Sequence, residues 1–186
     1  MGITAEQAVE VFRASDCLHD EPAVGAALDR MAEEIRGAIA GRDAVALVVM
    51  NGGFIPAAGL LLRLDLPLCI DYLHATRYRE RTSGGLIDWK RHHEVSLAGR
   101  DALVIDDILD EGLTLAAIVE HCRQEGARRV WSAVLAEKQR ARAVDFTADF
   151  VGLTVPDRYV FGYGMDYKGY LRNARGIYAV ADEHAA

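Results

Sequence analysis

The sequence predicts an α/β fold, a mostly parallel central sheet flanked by helices with a small hood or cap subdomain. Three observations carry this. Uninterrupted apolar runs at residues 44–50 and 102–105 read as strands buried on both faces, as in a parallel sheet, and residues 130–136 read as a further strand. Segments with apolar residues at helical spacing alternate with these runs. The composition, 51% hydrophobic and 26% charged over 186 residues, excludes a disordered chain and suits one domain spanning 1–186.

The elements follow in order. Thr4-Ala5-Glu6-Gln7 reads as a capping box that starts a short helix. A second helix follows Pro22, with Val24, Leu28, Met31, Ile35 and Ile39 on one stripe and Gly41 placed to cap it. The strand at 44–50 ends in Asn51-Gly52-Gly53, and an apolar helix covers 56–63. A strand is expected at 68–74. Residues 75–92 hold Arg77, Arg79, Arg81, Gly84 and Gly85 with little periodicity, and read as a long loop of the kind that serves as a lid.

The strand at 102–105 runs into Asp106-Asp107-Ile108-Leu109-Asp110-Glu111-Gly112. A helix then turns Leu115, Ile118, Val119 and Cys122 inward, with Gly126 at its end. Further strands are expected at 130–136 and 150–153. The last thirty or so residues, richer in Tyr, Gly and Arg, read as the material of a smaller cap.

Charge and cysteine content exclude several classes. A net charge of −7 argues against a nucleic-acid-binding surface. Cys17, Cys69 and Cys122 are widely spaced, and no CxxC pair suggests a zinc ribbon or a disulfide framework. The apolar stretches are too short to span a bilayer, and the N-terminus lacks a signal-peptide pattern. A cytoplasmic protein with no membrane partner is expected. No P-loop, EF-hand or nucleophile-elbow spacing is present.

Two loops fall where open α/β sheets bind ligands, outside the C-terminal ends of the strands. In Met50-Asn51-Gly52-Gly53 the paired glycines permit close backbone approach to an anion beside a helix N-terminus. The second loop is more informative. Asp106 and Asp107 can accept hydrogen bonds from sugar hydroxyls and steer a hydrated Mg²⁺. The helix N-terminus beyond them, with Thr114, can hold a phosphate. Acceptors for hydroxyls beside donors for a phosphate suit a ribose 5-phosphate. Favourable placement of Asp110 and Glu111 near the helix dipole does not account for two more aspartates at the strand end.

Residues 102–114, Ala-Leu-Val-Ile-Asp-Asp-Ile-Leu-Asp-Glu-Gly-Leu-Thr, resemble the phosphoribosyl-diphosphate (PRPP) signature of type I phosphoribosyltransferases. Leu135-Ala136-Glu137-Lys138, Asp149-Phe150-Val151-Gly152, the stretch Val-Pro-Asp-Arg-Tyr-Val-Phe-Gly-Tyr-Gly-Met-Asp-Tyr at 155–167, and Tyr170-Leu171-Arg172-Asn173 are similar in order and spacing to the hypoxanthine-guanine members. The resemblance covers residues 44–180. It implies the type I phosphoribosyltransferase fold, with a hood built from the N-terminal helical segment and about 156–180.

The resemblance also implies an activity: transfer of the 5-phosphoribosyl group from PRPP to hypoxanthine or guanine, giving IMP or GMP and diphosphate in purine salvage. A xanthine-preferring relative, or a PRPP- or nucleotide-binding regulator without turnover, are the alternatives. It assigns roles as well. Asp106 and Asp107 would hold the ribose hydroxyls, and Gly112, Leu113 and Thr114, with Asp110 and Glu111, would wrap the 5′-phosphate. Asp110 would take the proton from purine N7. Lys138 would donate to O6 as the only cation of the purine pocket, an explanation for a lysine that otherwise lacks a buried partner. Tyr159 would stack on the base, and the Val160 backbone would read its edge.

Asn51, Gly52 and Arg172 would hold diphosphate, and Arg77 and Tyr78 would belong to the lid. Asp166, with Asp106 and Asp107, would meet Mg²⁺, and Asp166 would also border the purine. Asn51 departs from the lysine common at its position, and Leu113 from a frequent polar or basic residue. A cis peptide at Met50–Asn51 and assembly into a homodimer or homotetramer belong to the same pattern.

Overall fold

The computed structural model describes residues 2–77 and 87–185. Helix α1 (Ala5–Ala14) starts at the expected capping box: the Thr4 hydroxyl accepts from the Gln7 N–H, and the Gln7 side chain accepts from the Thr4 N–H. Strand β1 (Asp16–Asp20) follows, and Asp20 ends it by capping α2 (Glu21–Ile39), accepting from the Ala23 N–H at 2.9 Å. Helix α2 therefore starts just ahead of Pro22, which fits the first turn because a proline lacks the N–H left unpaired there. The predicted stripe of Val24, Leu28, Met31, Ile35 and Ile39 is fully buried.

The central sheet contains β2 (Ala44–Val49), β3 (Cys69–Arg77), β4 (Ile87–Arg91), β5 (Asp101–Leu109), β6 (Arg129–Lys138) and β7 (Phe150–Val155). Their order is β4-β3-β2-β5-β6-β7, and every pairing is parallel except the antiparallel β3–β4 pair. Strand β2 is buried along its whole length, as its apolar run predicts. Helices α2 and α3 (Phe54–Leu64) enclose one core, while α4 (Leu113–Gln124) encloses another with Leu115, Ile118, Val119 and Cys122 inward. Of the described residues, no helix is long and apolar enough to cross a membrane.

A second sheet, in the order β1-β9-β8, joins the two ends of the chain, with β8 at Val160–Phe161 and β9 at Gly176–Ala179. Val11 of α1 packs against Phe161, Tyr167 and Val180 there.

Three expectations need correction. Residues 75–92 are not one loop: 75–77 continue β3, and 87–91 form the edge strand β4. Ile87 and Trp89 of β4 face the core while Asp88 and Lys90 pair with each other outside it. That alternation is the ordinary signature of a half-buried strand, hidden here by charge and shortness. Arg77 ends β3; Tyr78 lies outside the described residues. Second, Asp106 and Asp107 are not beyond a strand but within β5, which runs on to Leu109. Third, Lys138 does not follow β6 but is its last residue.

Candidate active site

The C-terminal ends of β2, β3 and β5 open into a cleft of about 940 Å³, lined by residues 49–52, 74–76 and 106–115 with Asp166 and Arg172. The floor comes from the turn after β2. The Met50–Asn51 peptide is cis. A side chain at Gly52 would place its Cβ 2.0 Å from Asp107 Oδ2, and one at Gly53 would meet the carbonyls of Val49 and Ile105 at 2.7 Å. A Cβ at Gly53 would strike main chain, and one at Gly52 would displace the Asp107 carboxylate, so both glycines keep the two loops in close approach. Helix α3 starts at Gly53 without a side-chain cap.

The acidic pair forms the wall above. Asp106 Oδ1 accepts from the Asp107 N–H at 2.9 Å, and Asp107 Oδ1 from the Ile108 N–H at 2.8 Å. Among the described residues neither carboxylate has an ion-pair partner. Burial pushes both carboxyls above the ordinary carboxylate range, Asp106 well above it, and the neighbouring Asp107 charge adds to the effect on Asp106. The positive charge of Arg172 opposes both shifts without reversing them.

Gly112 closes the turn in the left-handed region at φ 85° and caps α4 without a side-chain hydrogen bond, so the first turn points unclaimed N–H groups at the cleft. Glu111, Leu113 and Thr114 line the same end. The segment after β6 supports this turn: the Ala143 N–H donates to the Glu111 carbonyl at 3.0 Å, and Val144 packs against Gly112.

Asp110 is reached from β6. Lys138 Nζ lies 3.0 Å from Asp110 Oδ2, and Arg140 Nη1 lies 3.1 Å from Asp110 Oδ1. Asp157 approaches the same two cations, at 3.9 Å from Lys138 and 3.4 Å from Arg140. The expectation of a partnerless Lys138 is thus overturned, and a second cation, Arg140, meets the same carboxylate. A largely buried ammonium requires a counter-charge in the free protein, and Asp110 supplies it. Sequence reading passed over Arg140 and Arg142; their signal was two arginines within four residues of Lys138. Arg142 Nη1 donates to the Asp110 carbonyl at 2.8 Å, and its other nitrogen pairs with Glu137.

On the small-sheet side, Asp166 and Arg172 both line the cleft and pair with each other, Oδ1 to Nη2, at 2.7 Å. Arg172 Nη1 also donates to the Gly164 carbonyl at 2.7 Å, and Asp166 Oδ2 accepts from the Gly169 N–H. Tyr159 and Val160 do not line this cleft. The Tyr159 ring packs on Tyr167, its hydroxyl accepts from the Lys168 N–H, and Val160 is buried in β8. The structure thus gathers Asn51, Gly52, residues 106–114, Asp166 and Arg172, reaches Lys138 through Asp110, and leaves Tyr159 and Val160 outside.

Comparison with known proteins agrees with this geometry. Residues 14–168 match the model of the phosphoribosyl transferase domain. A hypoxanthine-guanine phosphoribosyltransferase of Aquifex aeolicus is 32% identical over 154 residues, covering 82% of this chain and 86% of the relative. One from Bacillus subtilis is 38% identical over 130 residues, covering 69% and 72%. Among solved structures, a hypoxanthine phosphoribosyltransferase of Staphylococcus aureus superposes with a TM-score of 0.87 at 26% identity, covering 92% of this chain and 94% of that one. With the family model spanning most of the sequence and the acidic strand end, helix N-terminus and Arg172 meeting in one cleft, the chain belongs to the phosphoribosyltransferase family, on its hypoxanthine-guanine branch.

Proposed function

We propose that the protein transfers the 5-phosphoribosyl group of PRPP to hypoxanthine or guanine, forming IMP or GMP and releasing diphosphate. The observation that carries this is the shared cleft of Asp106, Asp107 and the α4 N-terminus. Two carboxylates without cations accept from vicinal hydroxyls, and the N–H groups of residues 112–114 hold a 5′-phosphate. Arg172 faces the diphosphate, a role suited to its forked donors. Asn51 and Gly52 contribute backbone and amide donors there.

Lys138 donates to the purine O6, and Tyr159 and the Val160 backbone hold the base, which requires the small sheet to deliver them. The bond from C1′ to the purine nitrogen forms as the bond from C1′ to the diphosphate oxygen breaks. The N7 proton passes to Asp110. A hood formed by the small sheet and α1 is part of this reading, as is a cytoplasmic place of action.

The residues present fit a hydrated Mg²⁺. Asp106 and Asp107 are buried carboxyl groups with no ion-pair partner among the described residues, and Asp166 is a third acid on the same cleft. Among the described residues no group of three or more His, Cys, Asp or Glu side chains is arranged to hold a metal ion, so a protein cage is not the arrangement. That suits an ion that keeps waters and takes substrate oxygens. When bound, Mg²⁺ supplies charge neutralisation to the departing diphosphate.

Exposed Phe54 and Leu62 on α3, and Ile70 and Tyr72 on β3, are apolar surface consistent with self-assembly as a homodimer or homotetramer. A xanthine preference or a regulator without turnover has no observation of its own in favour.

The test is diphosphate release from PRPP and Mg²⁺ with each base. Hypoxanthine and guanine should be used. Adenine should be at least about tenfold poorer, because its amino group faces the Lys138 donor and the mismatch costs roughly 1–3 kcal/mol. Release with xanthine faster than with hypoxanthine, or with no base at all, defeats the reading.

A further inference from the structure

Both oxygens of Asp110 are occupied in the free protein, Oδ2 by Lys138 at 3.0 Å and Oδ1 by Arg140 at 3.1 Å. The two partners stand in different relations to a 6-oxopurine. Its N7–H seeks a carboxylate and its O6 seeks an ammonium, so the base edge fits between Asp110 and Lys138, taking the place of their mutual hydrogen bond. Arg140 need not move for that exchange, because it holds the other oxygen.

Arg140 is itself fixed. Asp157 stands 3.4 Å from its Nη1 and Glu111 3.9 Å from its Nη2, so with Asp110 three carboxylates from two loops surround one guanidinium. The backbone also helps, since the Arg140 N–H donates to the Lys138 carbonyl at 3.0 Å. Arg142, by contrast, reaches the Asp110 main chain rather than its carboxylate. The division leaves Arg140 as the side chain able to hold the Asp110 carboxylate in place while Lys138 is drawn away by the substrate.

We propose that Arg140 is a positioning residue that acts through Asp110, fixing the orientation of the carboxylate that receives the purine proton. This rests on the function proposed above. A guanidinium suits the task because it stays charged and its planar fork fixes the carboxylate it meets. It also gives Asp110 a cation that is not consumed in recognising the base.

Steady-state kinetics with PRPP, Mg²⁺ and hypoxanthine test the proposal on the full chain. If the wild type releases no diphosphate, the function reading itself fails. Given wild-type turnover, Arg140→Gln should lower kcat about tenfold with the KM for PRPP nearly unchanged, the scale of coupling between residues in direct contact. Arg140→Lys should recover most of the loss. In an Asp110→Asn background the Gln substitution should add less than about a twofold loss, since its target is gone. Arg140→Met, which retains the apolar stem, replaces Gln in both backgrounds if the Gln variant does not fold. A neutral variant with wild-type kcat, or the same loss with and without Asp110, overturns the proposal.

Discussion

Strand β5 buries a carboxylate at each end, and the two ends are built oppositely. Asp101 begins the strand with its side chain fully enclosed, met by Arg128 Nε at 2.7 Å and Arg42 Nη1 at 3.4 Å. Among the described residues Asp106 and Asp107, near its other end, have only each other, backbone N–H groups and the charge of Arg172. Burying a charge is costly unless it is paired. The first end meets that requirement within the fold. The second leaves it to be met by what binds, and an unmet electrostatic demand inside a cleft is the mark of a binding site. Asp110, just past the strand, is an intermediate case: paired, but with one partner, Lys138, that a substrate can draw away.

Substitutions along this strand break or sharpen the contrast. The largest effect is expected at the intermediate position. Asp110→Asn should lower turnover by about 10²–10⁴-fold, the usual contribution of a general base, with PRPP affinity changed far less. Near-normal turnover would remove Asp110 from the chemistry. Next, Asp106→Asn combined with Asp107→Asn should weaken PRPP binding in Mg²⁺ by about 10²-fold or more, since hydrogen bonds to charged groups contribute roughly 1.5–3 kcal/mol each. Circular dichroism should be unchanged, and calorimetry showing wild-type affinity would collapse the distinction between the two ends.

Asp101→Asn should do the reverse. Arg42 and Arg128 are about half exposed, which moderates the cost, so a loss of about 1–3 kcal/mol in stability is expected by denaturant titration. The kcat per folded molecule should stay at the wild-type value; a catalytic defect without lost stability would contradict the structural role.

The smallest effect concerns pH. The Asp106 carboxyl is held above its unfolded value of 3.8, so the folded form binds the proton more tightly. The free protein then gains stability from this group as pH falls through the raised value toward 3.8, and loses it as pH rises. Asp106→Asn has no such charge to bury. It should melt higher than wild type at pH 7.5, and the difference should shrink at lower pH. A difference independent of pH would mean that Asp106 carries no buried charge.

The parts of the fold visible in sequence are those whose signal is local. Strand β2 is an apolar run buried along its whole length, β5 and β6 carry buried apolar runs at 102–105 and 133–136, and α2 carries a full helical stripe. What escaped is held by partners far away in the chain. Strand β1, with the sequence Asp-Cys-Leu-His-Asp, is a strand because Asp16 meets Ala179 and Cys17 meets Tyr178. The site divides in the same way. The acidic strand end and the helix that follows it are contiguous and could be read directly. The Asp110–Lys138–Arg140–Asp157 cluster joins residues from separate loops, and no spacing encodes the pairing.

The contact between Gly164 and Gly52 has a consequence for how this protein breathes. A Cβ at Gly164 would stand 2.2 Å from the Gly52 carbonyl oxygen, so the second sheet's turn rests on the main chain of the turn after β2 with no side chain between them. Arg172, whose Nη1 donates to the Gly164 carbonyl and whose own carbonyl accepts from the Gly164 N–H at 2.8 Å, also lines the cleft. Local opening of that turn therefore withdraws Arg172 and uncovers Gly52 in a single event. Amide hydrogens of the turn and occupancy of the cleft become one thermodynamic quantity: PRPP should slow exchange around Gly162–Gly164 in proportion to its binding free energy.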